Sequence, residues 1–510
     1  MAAKNSIKNK KGSAIAYALI VMAAVAVILT SMLRYISSQM IFSSSRVAKE
    51  ESFQISEAGI YFYRWYLAHR ISGRTAQQIK DFWQSGNPYG VGTPYEAEYS
   101  DPEGGAIGKY KIEVQPPDPN STIVIVKSTG WTYKTPGLKR IIQVRFRRPS
   151  WSEYAVLADD NMRFGQGTQI YGKIHSNYGI RFDGVAHNVV SSSLYSYDDP
   201  DHSGGAEFGV HTHINPVDPV NPVSPTPPPA RQDVFEAGRQ LPLPTINFNG
   251  ILSDLSYMKS EAQAGRGKYF DNTGSGRKII LKTNGTYDIC TVNSYDATSK
   301  SITDYSGVIT GATKNHGAAN GSVCVTSSCC AASACADLSG SGNGKCVSLT
   351  NYGIVTNGII FIEDNIWLEG TINNKKITVV AANLIGGPAA DAYIGFNNLL
   401  YTNFDGKDIV GLIGQNNVSV VRESQNMLTI DAALLAQSGR VGRDYYSSSY
   451  NKNTITVNGS IATKLRYGFA YTDGTGYTNR ILNFDNNLLY YPPPYFPTGT
   501  EYYIDLWDEL

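Results

Sequence analysis

IIFIEDNIWLEGTINNKKITVVA, residues 359–381, breaks its apolar runs at Glu, Asp, Asn or Gly every few residues, too often for a helix. The runs are of strand length and the breaks are turn residues. They read as successive faces of one coil. Ile360, Ile362, Ile366 and Leu368 point inward and stack on their equivalents in the next rung, with Asn or Gly at the corners. Residues 162–184, MRFGQGTQIYGKIHSNYGIRFDG, and 408–421, DIVGLIGQNNVSVV, have the same texture. Strands of about four to six residues, spaced about eight to twelve apart, suit a sandwich, a barrel or a solenoid. The expected fold is mainly β and contains a β-helix (solenoid), with a β-sandwich as the alternative.

Composition agrees. The chain has 49 Gly and 34 Tyr in 510 residues, and its charged fraction of 17% lies below the usual quarter, as in a turn-rich extracellular surface. With 44 Lys plus Arg against 43 Asp plus Glu, the net charge of +1 gives no electrostatic case for a nucleic-acid partner.

The N-terminus is different in kind. Ala14 to Leu33 is a run of 20 residues without a charge, enough helix to span about 30 Å of hydrocarbon. Lys4, Lys8, Lys10 and Lys11 precede it with no acid among them, which predicts a cytoplasmic N-terminus and an extracytoplasmic bulk. Downstream, Ile55, Ala58, Gly59, Phe62, Trp65 and Tyr66 recur at spacings of three and four, one apolar stripe on a helix. The two segments read as a single rod from about Ser13 to about Arg70, on the order of 85 Å long.

A Lys-rich leader ending in Gly12, an apolar helix directly behind it and an amphipathic continuation resemble a type IV prepilin. GSAIAYALIVMAAVAVILTSML and SFQISEAGIYFYRWYLAH are most similar to the PilX N-terminal family of minor pilin-like proteins, over about the first 70 residues. The resemblance implies cleavage by a prepilin peptidase between Gly12 and Ser13. It also implies partners in other pilins or pseudopilins through the N-terminal helix, an inner-membrane lipid environment before assembly, and a pilus or cell-surface location after it. The fifth mature position, where major pilins usually carry glutamate, is Tyr17. That departure suits a tip-proximal subunit displaying a β-rich domain for pilus assembly or adhesion to a surface ligand or polysaccharide. An anchored carbohydrate-active enzyme and a static envelope scaffold are the alternatives.

The remaining organisation follows from local signals. Residues 1–12 are the leader and 13–70 the helix. Residues 71–150 form a small pilin-like α+β head, in which Thr75 and Gln78 make a capping box for a short helix stopped at Gly86. Tyr110, Ile112 and Val114 alternate on one strand and Ile142, Val144 and Phe146 on another, with the apolar TIVIVKS as the central strand. Such a sheet needs packing on Trp65 and its neighbours. Residues 151–215 and 347–490 are two solenoid parts. Between them lie a spacer at 216–230, with Pro216, Pro219, Pro222 and Pro225 at polyproline II spacing, and an insertion at 231–346 with a helix from about Ser253 to Gly265. Residues 491–510 are a capping tail, in which Tyr503, Ile504, Leu506 and Trp507 can cover an open end or edge of the β-domain.

Cys290, Cys324, Cys329, Cys330, Cys335 and Cys346 are even in number and crowd a Gly/Ser/Ala-rich loop, which in an exported domain favours disulfides of undetermined pairing. Zinc is disfavoured there, because C-x4-C-C-x4-C lacks paired knuckles. Glu363, Asp364, Glu369, Asp405 and Asp408 could serve glycosidic chemistry, but read more simply as corner and surface residues. His211 and His213 lie on one side of a strand, and Asp198, Asp199 and Asp201 form an acidic cluster without EF-hand spacing. Neither is assigned a metal, and no catalytic residue or cofactor is expected.

Overall fold

In a computed structural model of the chain, residues 11–101, 104–118, 121–248, 251–292, 295–302 and 346–510 are described. Helix α1, Lys11–Ile71, is continuous over 61 residues, about 90 Å at the helical rise. Helix α2, Ala76–Gln84, begins at the Thr75–Gln78 capping box and buries Ile79 and Trp83. Strands β1 (Tyr95–Ser100), β2 (Ala106–Gln115), β3 (Ile123–Thr132) and β4 (Lys139–Arg147) form an antiparallel sheet in that order.

The lower half of α1 packs on this sheet. Ile55, Ile60, Tyr63, Leu67 and Ile71 are fully buried against Ile112, Val124, Val126, Ile142, Val144 and Phe146. Trp65 does not join them; it is 55% exposed and lies over His69 with ring centroids 4.4 Å apart. At 100° per residue the buried Tyr63, Leu67 and Ile60 lie about 80° to 140° to one side of Ile55 and Trp65 about 80° to the other, so Tyr63 and Leu67 take the packing expected of it. The closest approach is made by small residues. Ser56 Oγ donates to Ser128 O at 2.8 Å, and a Cβ on Gly130 would sit 2.4 Å from both Ser52 O and Ser56 N.

Beyond Trp151 the strands pair in parallel, and the arrangement is a three-faced β-solenoid rather than a sandwich. The first face is a run of ten strands, lying side by side in the order Gly267–Phe270, Gly358–Ile362, Lys376–Ala381, Ile409–Gly414, Met427–Ala436, Lys452–Thr463, Val156–Ala158, Ile174–Ser176, Val190–Ser192 and Arg239–Gln240. The order in space is not the order in sequence. Ile461, Ala462 and Thr463, on the last coil of the second block, pair with Val156, Leu157 and Ala158, the first strand of the first block. The two blocks are one solenoid, and the chain enters it part-way along.

Ile360, Ile362, Ile366 and Leu368 lie inside, against Val379, Ala381, Ala392 and Ile394 of the next coil. Their alternates on the first face are buried as well. Ile359, Phe361, Val380, Ile409 and Leu435 are covered by Leu255, Met258 and Ala262 of helix α3 (Ile251–Gln263), together with Trp151, Phe248, Leu488 and Phe496. Burial on both sides is why GIIFI and ITVVA carry no polar alternation. The covering segment runs from one end of the solenoid to the other. Leu243 N donates to Ser192 O at 2.9 Å, the Phe248 and Trp151 rings lie 4.2 Å apart at 45°, and α3 ends at Gln263, with Gly265 turning the chain into the strand Gly267–Phe270.

The proline-rich segment lies within a single coil, between Val210–His211 and Phe235, and is held down by Arg231 donating to Ile214 O at 3.1 Å and by Arg239 paired with Asp218. Cys290 is buried on the strand Thr286–Val292, whose partner strand begins at Cys346; Cys324, Cys329, Cys330 and Cys335 lie outside the described residues. The C-terminal strand Tyr503–Glu509 is not at a solenoid end. It pairs antiparallel with β4 as the fifth strand of the head, where the outer edge of β4 offers unpaired N–H and C=O groups.

Two outcomes are expected. Gly130→Ala forces the helix seam apart and should lower stability by about 1–3 kcal/mol in denaturant melts. Truncation before Tyr503 removes the cover from β4 and should lower the melting temperature and promote self-association on light scattering; an unchanged melt would show that the strand adds nothing.

Candidate functional site

Ala14 to Ser44 are exposed without interruption, and packing on the head begins only at Ala48. By length and composition this helix is able to cross a membrane. Two hydroxyls near its middle are satisfied within the helix: Thr30 Oγ1 donates to Ala26 O at 2.8 Å and Ser31 Oγ to Val27 O at 2.7 Å. No acid occurs before Glu50, and Tyr17 projects from the helix at 70% exposure.

Of the carboxylates considered for catalysis, Glu363, Asp364, Glu369 and Asp408 are buried and committed to the scaffold, and Asp405 is exposed. Glu363, fully buried, accepts from Lys259 Nζ at 2.6 Å and from the Tyr269 hydroxyl. Asp364 accepts from the amides of Thr273 and Gly274, both at 2.9 Å, and closes that turn. Glu369 lies 3.1 Å from Lys278 Nζ and accepts from Asn397 Nδ2 at 3.2 Å. Asp408 accepts the amides of Asn374, Thr402 and Asn403, while Asp405 pairs with neighbouring Lys407. Backbone capping and buried cations use the lone pairs that general acid–base work would need.

The two weak metal candidates of the sequence, HTH and DDPDH, converge. The strand Val210–His211 pairs with Ile180–Phe182, and the hairpin Ser196–Tyr197/Glu207–Phe208 folds over it. Asp199, His211 and His213 then carry ligand atoms within 4.8 Å of one another, as do His202, Glu207 and His213. His211 Nε2 is 3.6 Å from Asp199 Oδ2, and His202 Nδ1 is 2.8 Å from Glu207 Oε1. Burial opposes ionisation of Asp199, but the His211 ring, the Asp201 amide and Arg181 outweigh it and hold the carboxyl well below its usual range. Burial lowers the His213 pKa, aided by the neighbouring Arg181. Asp198 stays exposed and Asp201 pairs with Arg466 and Arg163, so neither belongs to the cluster. Residues 199–213 contain every member, but only the hairpin over the strand brings them together.

Head and solenoid meet across a cavity of about 980 Å³ lined by Ile79, Trp83, Arg148, Trp151, Asp254 and Tyr257. Glu261 of α3 clasps the two together, accepting from Lys80 of α2 at 2.8 Å, Arg266 at 2.8 Å and the Tyr495 hydroxyl at 3.2 Å. Burial pushes the Asp254 carboxyl up to about 6, against the weaker pull of Arg148.

No family profile matches the chain, and no curated protein matches it in sequence. Among solved structures, that of the competence-associated pilin ComZ from Thermus thermophilus is similar at a TM-score of 0.31 and 11% identity, over 91% of this chain and 98% of that one. The functional reading therefore rests on the chain's own residues.

Asp254 sets a pH dependence. Its folded pKa lies above the unfolded value, so the folded state holds the proton more tightly and stability falls as pH rises from about 4 through about 6. Asp254→Asn should flatten that slope and gain about 1–2 kcal/mol at pH 7 relative to the parent, measured by denaturant unfolding at pH 4.5 and 7.

Proposed function

We propose that this chain is a membrane-anchored, minor pilin-like subunit of a type IV pilus or related pseudopilus, processed between Gly12 and Ser13. The observation that carries this reading is the division of α1: the lower part packs under a five-stranded head, while Ala14 to Ser44 is bare on every side and apolar from Ala14 to Leu33. A bare apolar helix needs either lipid or other apolar helices around it, and a pilin occupies each in turn. An ordinary anchor would need only the first.

A tip-proximal place follows from two further features. Tyr17 offers no carboxylate to pair with a neighbour's amino terminus, so the register contact of a repeating shaft is absent. The solenoid also adds about 350 residues beside the head, a bulk that a closely repeating lattice would have to accommodate at every subunit. Display of that solenoid for assembly or adhesion is the role proposed for it, with the six cysteines oxidised to disulfides after export.

The test is the mass of the N-terminal peptide from the native host, with and without active prepilin peptidase. A mature N-terminus at Ser13 only in the peptidase-positive strain is the expected result. An intact leader in both strains would exclude the pilus pathway, and labelling at regular intervals along purified filaments would exclude the tip.

A further inference from the structure

We propose that Asp199, His211 and His213 bind one divalent transition ion of the zinc class, tying the 193–209 loop onto the solenoid. His211 is fully buried, and neither of its ring nitrogens has a hydrogen-bond partner. Asp199 Oδ2, on a residue only 3% exposed, lacks one as well. Unpaired polar atoms inside a protein each cost about 1–3 kcal/mol, and two of these, His211 Nε2 and Asp199 Oδ2, stand 3.6 Å apart. An ion between them satisfies both at once.

The spacing fits the ion. Ligands held at about 2.0–2.1 Å around a tetrahedral centre stand about 3.3–3.5 Å apart. His211 Nε2 and Asp199 Oδ2 stand 3.6 Å apart, and His213 is within reach of both and of His202. Imidazole donors with one carboxylate select zinc-like ions over calcium, which takes oxygen ligands.

The surroundings hold the ligands in place. Glu207, 2% exposed, lies 2.8 Å from His202 Nδ1 and holds that ring beside His213 at the edge of the centre. Glu207 also accepts the Asp199 amide at 3.2 Å. The other Asp199 oxygen accepts the Asp201 amide at 3.0 Å, and the His213 amide donates to Asp183 at 2.9 Å. Arg181 lies 3.7 Å from Asp199 but is paired more closely with Asp183 at 2.7 Å, so it offsets charge without filling the centre. The His202 side chain, 35% exposed, gives the ion a way in.

The experiment uses the full-length chain in detergent, stripped with chelator, re-equilibrated with Zn²⁺ or Co²⁺ and assayed for bound metal. One ion per chain is expected, with a tetrahedral Co²⁺ spectrum free of thiolate charge-transfer bands and a higher melting temperature with Zn²⁺. His213→Gln and Asp199→Asn should lose the ion, and Glu207→Gln should weaken binding about tenfold or more. Failure of the parent chain to retain metal, equal retention by both ligand variants, or thiolate bands that place the ion among the cysteines would each overturn the assignment. If the ligand variants fail to fold, the Co²⁺ spectrum of the parent chain decides alone.

Discussion

One junction between distant strands holds the molecule's plan together, made by residues 461–463 on Val156–Ala158 and, on another face, by residues 480–483 on Thr168–Tyr171. When Ile461, Ala462 and Thr463 pair with Val156, Leu157 and Ala158, strands some 300 positions apart in sequence become neighbours, and Lys464 meets Asp159 beside them. Without that junction the chain would be two short solenoids with four exposed ends. With it there are two ends and one uninterrupted interior, from Phe270 through Leu412 and Leu434 to Val190. Such contacts carry a large loop-closure cost, which the interior must offset before the fold is stable.

The junction also dictates the return path. A chain that leaves one end of the stack at Arg239–Gln240 and resumes at the other at Gly267 has to travel its full length outside. It does so over the first face, and the apolar residues it covers there need a lid as much as the chain needs a route. Covering and connecting are one solution. Glu261, on the same covering helix, then reaches Lys80 and so fixes the head to the solenoid it supports.

Much of this could be read from the sequence where the signal is local. The coil pattern around Ile360 to Leu368, the Thr75–Gln78 cap, the alternation in β2 and β4 and the length of α1 all depend on residues a few positions apart. What escaped depends on distant partners. Parallel pairing leaves no turn between its strands, so nothing near Val156 announces Ile461. The C-terminal strand has the composition of an edge cover but does not say which edge. His211 and Asp199 belong to motifs that each look incomplete, and only a hairpin folding over a strand makes them neighbours. Trp65 misled because a large aromatic at the margin of a stripe scores as part of it.

The C-terminal strand has a mechanical meaning. The chain leaves the head at Pro149 and comes back at Gly499, whose amide donates to Pro149 O at 2.8 Å, then runs antiparallel beside β4. The solenoid is therefore held by two strands gripping the same sheet, not by a single swivel. A pull on the solenoid is divided between both crossings and passes through the sheet into α1, so the β-domain is carried as a braced bracket on the rod, with a third tie from Glu261 to Lys80 near its Gly267 end.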